Sequence, residues 1–394
     1  MNTPKPLVPI PILHLITRLI VGGAQENTMY TAALLDKSQF KVQILSGRQT
    51  GSEGSIIEEI EELGISLVIF PDMLRQINPV KDLRCLWNLT QFIKKGNYQI
   101  VHTHSSKAGI IGRMAAWLAK TPIIIHTVHG WSFHDYMSPL NRQIYIQLER
   151  WMANFTDAFI AVTNQDIKKG LEAKIGRSEQ YHLIRSSIPL DDFEPTTFDK
   201  QIIRDQLGIP NDKIVIGNVG RFSAQKNPLD WVRIAGKISN LCPNVFFLLV
   251  GDGPLIGEVE AEIFNQGIQA KTILTGLRRD VARMLSAMDI FLLTSLWEGL
   301  PRVIPQAMAM QIPVVANRAD GTTEAVRDGI SGFLCEPGDL EKASQYCVEL
   351  VNNPIKRMEM GCMGRSMAVR DFDLRTMISE IEHLYMRLMT KMNL

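Results

Sequence analysis

The amino-acid sequence predicts an α/β protein built from two doubly wound, Rossmann-like domains that face a cleft. Short apolar runs alternate with helical patterns from end to end, and fully apolar strands are typical of parallel sheets covered on both faces. At 394 residues the chain is longer than one hydrophobic core usually fills. The alternation breaks once, near Ser187, and then restarts. We therefore expect two domains.

The first domain is predicted to span 1–187. Its apolar runs are bounded by turns or by amphipathic stretches, as strands of a covered sheet should be. We place its strands at Pro11–Leu15, Lys41–Leu45, Ser66–Ile69, Gln99–Thr103, Ile123–Thr127, Ala158–Val162 and His182–Arg185. Amphipathic patterns between them, such as Asp82–Lys95 and Ala108–Lys120, predict the covering helices.

The segment IPLDDFEPTTFDK follows Ser187, lacks any periodicity and predicts the connection between the domains. The second domain is predicted at 188–372. We place its strands at Ile214–Val219, Val245–Val250, Thr272–Leu274, Asp289–Leu293 and Pro313–Ala316. Helical segments follow from Leu340 to about Met392, and a separate final helix is predicted within 373–394. Ligands of such sheets bind beyond the carboxyl ends of the strands.

Composition and charge exclude several classes of protein. The hydrophobic fraction of 45% and the charged fraction of 21% are those of a globular chain, and the net charge of +1 argues against a nucleic-acid partner. The five cysteines are odd in number and lack metal-site spacing, which predicts a reducing compartment. We identify neither a signal peptide nor a spanning helix and expect a cytoplasmic protein. Peripheral contact with the inner face of the cell membrane stays open.

The segment SLWEGLPRVIPQ combines a carboxylate, a glycine and a helix start directly after a predicted strand. Pro301 is expected to open the helix, because the first helical position tolerates a missing N–H. The loop before it would then present backbone N–H groups, an arrangement that binds phosphate. Gln306 lies eight positions after Glu298, which is about two helical turns and so about the same face. A carboxylate for hydroxyls and amides for phosphates predict a nucleotide-sugar site.

Two further loops follow predicted strands and precede helices. Gly22 and Gly23 let the backbone approach a ligand closely, although the same pair also suits a plain tight turn. In the second domain Gly220 is followed by Arg221 and Lys226, which offer a planar fork and a point charge to phosphate oxygens. Solvated surface charges are the alternative. We favour phosphate binding because the loop repeats the strand–glycine–helix placement of the other two sites.

Five of the eight histidines fall between His102 and His134. Such a cluster suggests a metal site, but no Asp, Glu or Cys supports a closed coordination shell, and the histidines follow separate strands. We therefore predict satisfied structural histidines together with one, His129, that donates a hydrogen bond in the cleft. Ser105 is expected to begin the helix after the first pair, since serine is a good N-cap.

The run LVGDGP resembles the start of a dinucleotide fingerprint, but the third glycine falls out of position at Gly257. An NAD-dependent oxidoreductase is therefore the least favoured class. The run Asp371-Phe372-Asp373 precedes the last helix, where capping is the expected role. We find no device for a catalytic divalent cation, and we predict no metal ligand and no cofactor.

These motifs together resemble those of the retaining, GT-B-type glycosyltransferases of the glycogen-synthase-like and mannosyltransferase-like group, the family 4-like enzymes of bacterial polysaccharide type. The likeness extends over nearly the whole chain. It rests on the Gly22-Gly23 loop and on the segments VHTHSSKAGIIGR, HTVHGWSF, FTDAFIAVT, GRFSAQKNP, LVGDGP, SLWEGLPRVIPQAMAMQIPVV and EAVRDGISGFLCEPGD. The resemblance implies a donor nucleotide held mainly by the second domain and an acceptor held mainly by the first. It also implies a last helix, at about Leu374–Met389, that crosses back to the first domain.

The resemblance further implies roles for individual residues of the second domain. Arg221 and Lys226 would hold the diphosphate of the donor. Glu298 would hold the hydroxyls of the donor sugar, with the amides of Gly299 and Leu300 near sugar and phosphate. The residues bordering the nucleobase would be Gly276, Leu277 and Arg278.

In the first domain, the resemblance implies that His129 faces the sugar and that Gly22-Gly23 approaches the phosphates or the acceptor. The sequence departs from the family pattern at Gln306, where a glutamate usually binds the ribose, and also at Gln25 and Ser186-Ser187. Glutamine keeps an acceptor and gains a donor but loses the charge. These departures concern ribose contacts and the linker turn, and they leave the phosphate-binding residues in place.

We therefore predict transfer of a sugar from a UDP- or GDP-sugar to a saccharide or lipid-linked saccharide acceptor, with retention of configuration and no essential metal. Surface polysaccharide synthesis is the expected setting. In the loop Trp131–Pro139, either Trp131, Phe133, Tyr136 and Met137 line an acceptor groove, which would favour a lipid-linked acceptor, or they form a packed loop. Two alternatives stay open. One is a sugar-nucleotide epimerase on the same frame, which would use the histidines as acids and bases. The other is a non-catalytic nucleotide-sugar sensor or partner subunit, suggested by Gln25 and Gln306.

Overall fold

The computed structural model describes residues 8–49 and 53–392, and within them the chain folds into two units. Unit 1 comprises the described residues up to Ser186 together with those from Arg375 onward, and unit 2 runs from Ser187 to Leu374. Residues 1–7, on which part of the signal-peptide expectation rests, lie outside this description. No helix in the described part is long and apolar enough to cross a membrane.

A parallel sheet forms the centre of unit 1. In the described part of the chain its strands are Ile10–Ile16 (β1), Phe40–Ser46 (β2), Ser66–Ile69 (β3), Ile100–His104 (β4), Ile123–Val128 (β5), Ala158–Ala161 (β6) and Tyr181–Leu183 (β7). Their order in the sheet is β3-β2-β1-β4-β5-β6-β7. The chain order reverses between β1 and β4, which makes this the switch point at which doubly wound sheets bind ligands.

Six helices connect these strands in the described residues, and side chains cap the N-termini of three of the six. The six helices are Gly23–Leu34 (α1), Ile57–Glu62 (α2), Pro79–Gly96 (α3), Ser106–Leu118 (α4), Pro139–Ala153 (α5) and Asn164–Glu172 (α6). In α3, the Asn78 side chain accepts a hydrogen bond from the Lys81 amide at 3.1 Å, and Pro79 occupies the first turn. Local sequence therefore sets where this helix begins.

Unit 2 repeats the architecture with a smaller parallel sheet. Its strands in the described residues are Ile214–Val219 (β8), Val245–Val250 (β9), Thr272–Leu274 (β10), Ile290–Leu293 (β11), Val314–Asn317 (β12) and Gly332–Cys335 (β13). They lie in the order β10-β9-β8-β11-β12-β13, so the switch point falls between β8 and β11. The remaining helices are Lys200–Leu207 (α7), Pro228–Leu241 (α8), Ile256–Asn265 (α9), Val281–Ser286 (α10), Val303–Ala309 (α11), Thr322–Ala325 (α12), Leu340–Asn352 (α13), Pro354–Asp371 (α14) and Leu374–Lys391 (α15).

The last helix, α15, packs within unit 1 for nearly all of its length. The side chain of Asn27 donates to the sulfur of Met377 at 3.1 Å, and Glu382 accepts a hydrogen bond from the Asp36 amide at 2.8 Å. Tyr385 is fully buried. The chain thus ends by contributing core and polar side chains to the unit in which it began.

The predicted fold class is confirmed, and the predicted strands are present with bounds within two residues. The sequence analysis missed β13, a short strand that starts at a glycine. A Cβ atom at Gly332 would overlap the carbonyl oxygen of Val314 in β12. Glycine is therefore required for β13 to pair closely, although by propensity glycine argues against a strand.

Candidate functional site

The loops that follow β8 and β11 are neighbours at the switch point of unit 2. β8 pairs with β9 on one side and with β11 on the other. The first loop carries Gly220, Arg221 and Lys226, and the second carries Glu298. Because both strands are parallel, both loops leave the same edge of the sheet, where ligands of such sheets bind.

Hydrogen bonds join these two loops to each other. The Gln225 side chain donates to the carbonyl of Trp297 at 3.0 Å, and its backbone carbonyl accepts from the Leu296 amide at 2.8 Å. In return, the Thr294 hydroxyl lies 3.1 Å and 2.9 Å from the carbonyls of Lys226 and Asn227. The two loops are therefore held in register before any ligand binds.

At the centre of this arrangement, the Lys226 ammonium forms an ion pair and hydrogen bond with the Glu298 carboxylate. The Lys226 side chain is 21% exposed and that of Glu298 7% exposed, so the pair is largely shielded from solvent. Charge-assisted hydrogen bonds are roughly twice as strong as neutral ones. The sequence analysis placed both residues in the site but did not predict that they would bind each other.

The loop after β12 supports Glu298 from its other side. The Glu298 amide donates to the carboxylate of Asp320 at 3.1 Å, and Asp320 has a left-handed backbone with φ of 44°. The Asn317 side chain donates to the carbonyls of Thr294 at 2.9 Å and Ser295 at 3.3 Å. Asn317 and Asp320 escaped the sequence analysis, although their position at the end of the next strand is a signal that could have found them.

The glycines of LVGDGP hold neighbouring loops together. The Gly251 amide donates to the Gly276 carbonyl at 2.9 Å, and a Cβ atom at Gly251 would overlap the carbonyl oxygen of Gly220. A Cβ atom at Gly253 would collide with the backbone of Phe222 in the same way. These glycines therefore permit close backbone packing between the loops after β8, β9 and β10.

The helix after Glu298 begins later than predicted. Pro301 does not open it; α11 starts at Val303, with Arg302 as the flanking residue. The Ser187 carbonyl accepts a hydrogen bond from the buried Arg302 guanidinium at 3.0 Å, which fixes this turn before the helix starts. The amides of Gly299 and Leu300 consequently belong to the loop before α11, and half-buried Gln306 lies within α11.

Residues predicted to border the nucleobase lie in the loop after β10. Gly276 has a left-handed φ of 69°, and Leu277 is 45% exposed. The Arg278 guanidinium binds Asp280 through two hydrogen bonds of 2.8 Å and 2.6 Å. These hydrogen bonds raise the pKa of Arg278 and lower the pKa of Asp280. Arg278 is thus engaged by a carboxylate of its own loop.

At the switch point of unit 1, the loops after β1 and β4 are also joined. The hydroxyls of Thr17 and Ser105 lie 2.8 Å apart, and the Ala108 amide of α4 donates to the Thr17 hydroxyl at 3.1 Å. Ser105 is the N-cap residue of α4, as predicted, but its side chain makes no capping hydrogen bond, and the Thr17 hydroxyl of the neighbouring loop accepts from the helix instead. Gly22 and Gly23 lie at the start of α1, as the turn into that helix.

Histidines from two strands meet beside this point. His102 and His104 lie within β4 rather than after it, and His14 in β1 is in register with His102. The ring nitrogens His14 Nδ1 and His104 Nε2 are 3.0 Å apart. The other ring nitrogen of His104, Nδ1, lies 3.1 Å from Nε2 of His129, a residue that follows β5. The sequence analysis missed His14, which parallel pairing of β1 with β4 could have revealed.

Tyr385 of α15 extends this set of hydrogen bonds. Its hydroxyl lies 2.6 Å from His102 Nδ1 and 3.4 Å from His14 Nε2. The opposite nitrogen of His102, Nε2, lies 2.6 Å from the Thr127 hydroxyl. Tyr385 had no sequence signal, because it is far away in the chain and its contact depends on how α15 docks.

A metal ion is the competing interpretation of this cluster. One ring nitrogen each from His14, His102 and His104 lie within 4.8 Å of one another, and burial lowers the pKa of His14 to about 3 and the pKa of the other two well below the usual value. Neutral imidazole is the form that binds metal. However, all six ring nitrogens of these residues already have hydrogen-bond partners. Each of these nitrogens thus has a hydrogen-bond partner within unit 1.

The other aromatic residues of this region are mostly structural. His126 is buried, and its Nδ1 lies 2.9 Å from the Thr103 hydroxyl. Trp131 and Phe133 pack in the core of unit 1, and the Trp131 indole donates to the Asp166 carbonyl at 2.8 Å. Of the loop predicted to line an acceptor groove, Tyr136 is 54% exposed. Trp131 and Phe133 therefore correspond to the packed-loop alternative.

Two parallel Rossmann-like units, each with polar side chains at its switch point, are the architecture of the GT-B class of protein. Comparison of sequences identifies the family within it. The family Glycosyl transferases group 1 matches residues 199–367, and the family Glycosyl transferase 4-like domain matches residues 22–185. The chain belongs to the GT-B glycosyltransferases of the family 4-like group.

Two curated relatives are similar to this chain in sequence, and one solved structure is similar to it in fold. The UDP-Gal:α-D-GlcNAc-diphosphoundecaprenol α-1,3-galactosyltransferase of Escherichia coli is 29% identical over 95% of this chain and 96% of its own. The capsular polysaccharide biosynthesis glycosyltransferase CapM of Staphylococcus aureus is 24% identical over 95% and 96%. The crystal structure of Anabaena HepE with UDP and glucose superposes with a TM-score of 0.83 at 22% identity, covering 96% of this chain and 100% of HepE. These matches favour transfer over the epimerase and sensor alternatives.

Proposed function

We propose that this protein is a retaining hexosyltransferase that uses a nucleoside-diphosphate sugar as donor and needs no essential metal. The observation that carries the proposal is the Lys226–Glu298 pair at the switch point of unit 2. It brings a cation suited to a diphosphate and a carboxylate suited to sugar hydroxyls into direct contact. A nucleotide sugar offers both complementary groups in one molecule.

The chemical step would break the bond between the anomeric carbon and the diphosphate oxygen, so negative charge would grow on the phosphate. The Lys226 ammonium has three N–H donors; Glu298 takes one, and two can face phosphate oxygens. Arg221, next to Gly220, would add a guanidinium to the same group. A preorganised donor of this kind contributes about 10²–10³ in kcat.

Retention requires that the acceptor hydroxyl attacks the face from which the diphosphate departs. A departing phosphate oxygen would accept the proton of that hydroxyl, so no separate base is needed. His129, oriented by its bond to His104, would donate to or accept from a substrate hydroxyl. Proton NMR of the product during the first turnovers would read its anomeric configuration directly, and an inverted product would refute this mechanism.

A thermal-shift panel of UDP-, GDP- and ADP-sugars tests the donor, because a ligand that binds only the folded state raises its stability. We expect a UDP-sugar to raise the melting temperature of the wild type and to lose most of this effect in Lys226→Ala. Lys237→Ala is the matched control, since Lys237 pairs with Glu341 at 3.0 Å on the surface of the same unit. Equal melting-temperature shifts in Lys226→Ala and Lys237→Ala would show that Lys226 does not bind the donor.

For the acceptor we propose a lipid-linked saccharide of surface polysaccharide synthesis. The support is the Escherichia coli relative, which spans nearly the whole chain and whose name specifies a diphosphoundecaprenol-linked acceptor. UDP-galactose with a diphosphate-lipid-linked N-acetylglucosamine is therefore the first pair to assay. Equal rates with free and lipid-linked acceptor would refute the preference for lipid.

An exposed apolar face on unit 1 supports contact with a membrane. Val80, Leu83 and Trp87 lie three and four residues apart on α3 and are 80%, 69% and 67% exposed. The exposed cations Lys81 and Arg84 lie on the same helix. Basic and aromatic side chains on one helix suit an anionic bilayer surface. We therefore propose a cytoplasmic protein that binds the inner face of the cell membrane through this face.

Cosedimentation with vesicles tests the membrane contact. We expect binding to vesicles that contain anionic lipid, weaker binding to purely zwitterionic vesicles, and loss of binding in the double variant Leu83→Ser, Trp87→Ser. The control is Phe264→Ser, which removes an equally exposed aromatic ring, 72% accessible, from α9 of unit 2. If the double variant binds like the control, α3 is not the membrane-binding surface.

A further inference from the structure

Hydrogen bonds link six polar side chains of unit 1 into one chain. Two of them, His14 and His104, link the buried hydroxyl of Tyr385 to His129, while His102 links the same hydroxyl to Thr127. Every link is between 2.6 Å and 3.4 Å long, the longest being that from Tyr385 to His14. In order, the members are Thr127, His102, Tyr385, His14, His104 and His129.

The donor and acceptor roles of the side chains in this chain depend on one another. Burial keeps His14, His102 and His104 neutral by lowering their pKa values, and a neutral imidazole has one N–H and one lone pair. Each link needs one donor and one acceptor. A ring that donates on one side must therefore accept on the other, and the role of one link determines the next.

The Tyr385 hydroxyl decides which of two donor–acceptor orders the hydrogen bonds from Tyr385 to His129 adopt. Its hydroxyl is buried between His14 and His102, so its single proton goes to one of the two rings. If it donates to His14, then His14 donates to His104, His104 donates to Nε2 of His129, and neutral His129 carries its proton on Nδ1. If it accepts from His14, every role reverses and His129 carries its proton on Nε2.

We propose that Tyr385 is a positioning residue that sets the tautomer and ring orientation of His129 through His14 and His104. This inference rests on the proposed function insofar as His129 is assigned a substrate hydrogen bond; the chain itself does not. The consequence is that α15, the last helix, determines whether His129 donates or accepts at a substrate hydroxyl. A hydrogen-bonded partner that fixes the tautomer of a functional histidine is a recurring device in proteins.

Histidine-selective ¹⁵N NMR of the full chain tests the proposal without any assay of activity. At a pH where the His129 ring is neutral, we expect the wild type to show one N–H nitrogen and one lone-pair nitrogen for this residue. Tyr385→Phe keeps the ring against Phe40 and His102 but removes the hydroxyl, and His129 should then shift to a mixture of tautomers. His126, outside the chain, is the internal control and should not change. An unchanged His129 in a folded Tyr385→Phe variant would overturn the proposal.

Turnover supplies an independent readout. We expect Tyr385→Phe to lower kcat about tenfold in the wild-type background and to have no further effect in a His129→Ala background, because a positioning residue acts only through its target. The same loss in both backgrounds would mean a merely structural role and would overturn the inference. If no donor is transferred at all, the proposed function fails, while the NMR experiment still decides the tautomer.

A second variant and a metal analysis complete the test. Thr127→Val removes the hydroxyl that binds His102 at the end of the hydrogen-bond chain opposite His129. The His129 spectrum should therefore change less than in Tyr385→Phe. A larger change would mean that Thr127 rather than Tyr385 sets the tautomer of His129, which would contradict the proposal. Stoichiometric zinc in the purified protein would overturn the chain itself, since the nitrogens would then bind metal instead of each other.

Discussion

The Lys226 ammonium binds the Glu298 carboxylate across two loops that are 72 residues apart in the sequence. Each loop ends a neighbouring parallel strand, so the pair lies at the point where a doubly wound sheet receives its ligands. The pairing gives Glu298 a role in addition to the proposed binding of sugar hydroxyls, because its carboxylate orients the Lys226 ammonium. A donor diphosphate would therefore bind to an ammonium that Glu298 already orients, rather than to an isolated cation.

The first prediction concerns this pair. Lys226→Met keeps the side-chain length but removes the charge, and we expect it to lower kcat by about 10²–10³. Glu298→Gln should reduce kcat less, since an amide still accepts a hydrogen bond from Lys226. Steady-state kinetics with the preferred donor measures both. The control Lys237→Ala breaks a surface ion pair worth about 0–1 kcal/mol and should leave kcat unchanged.

A second prediction separates the glycines of the LVGDGPLIG segment. Gly251→Ala should destabilise the protein and weaken donor binding, because the added Cβ would overlap the Gly220 carbonyl and the φ of 142° disfavours alanine. Gly257→Ala should be neutral or stabilising by up to about 1 kcal/mol, because Gly257 lies in α9 with open space around it. Thermal unfolding and donor titration compare the two. Similar losses in both would indicate that Gly257 has a binding role after all.

Asn317 provides a third prediction. Its side chain donates to two carbonyls of the loop that carries Glu298, and it is buried. Asn317→Ala leaves those carbonyls without this partner, which costs about 1–3 kcal/mol of folding stability. We expect the donor KM to rise as the loop loses its support. Unchanged kinetics in a destabilised variant would show that Asn317 matters for stability alone.

The fourth prediction is a pH dependence of stability. The pKa of His14 is about 3 in the folded state, below the ordinary value of 6.5. Below pH 6.5 the His14 ring therefore binds a proton in the unfolded chain but not in the folded chain. The free energy of unfolding thus falls as the pH decreases from 7 toward 3. At pH 5 this loss is about 2 kcal/mol for His14 alone.

Urea unfolding of the full chain at several pH values between 7 and 5 measures the slope of the unfolding free energy against pH. His14→Asn should reduce the slope, even if it lowers stability at pH 7. His383→Gln, an exposed histidine of α15, serves as the control and should leave the slope as it is. A slope that does not depend on His14 would mean that its protonation is not coupled to folding.

The amino-acid sequence by itself determined the fold class, the positions of most strands and the loops that carry Arg221, Lys226 and Glu298. Strand and helix periodicities are local, and the groups that follow a parallel strand always lie at the same edge of the sheet. Tertiary structure alone decided the Lys226–Glu298 bond and the chain from Tyr385 to His129. These depend on side-chain distances and on the docking of α15, which no local pattern encodes. The same reason explains β13, where a close approach to β12 requires the glycine that argued against a strand.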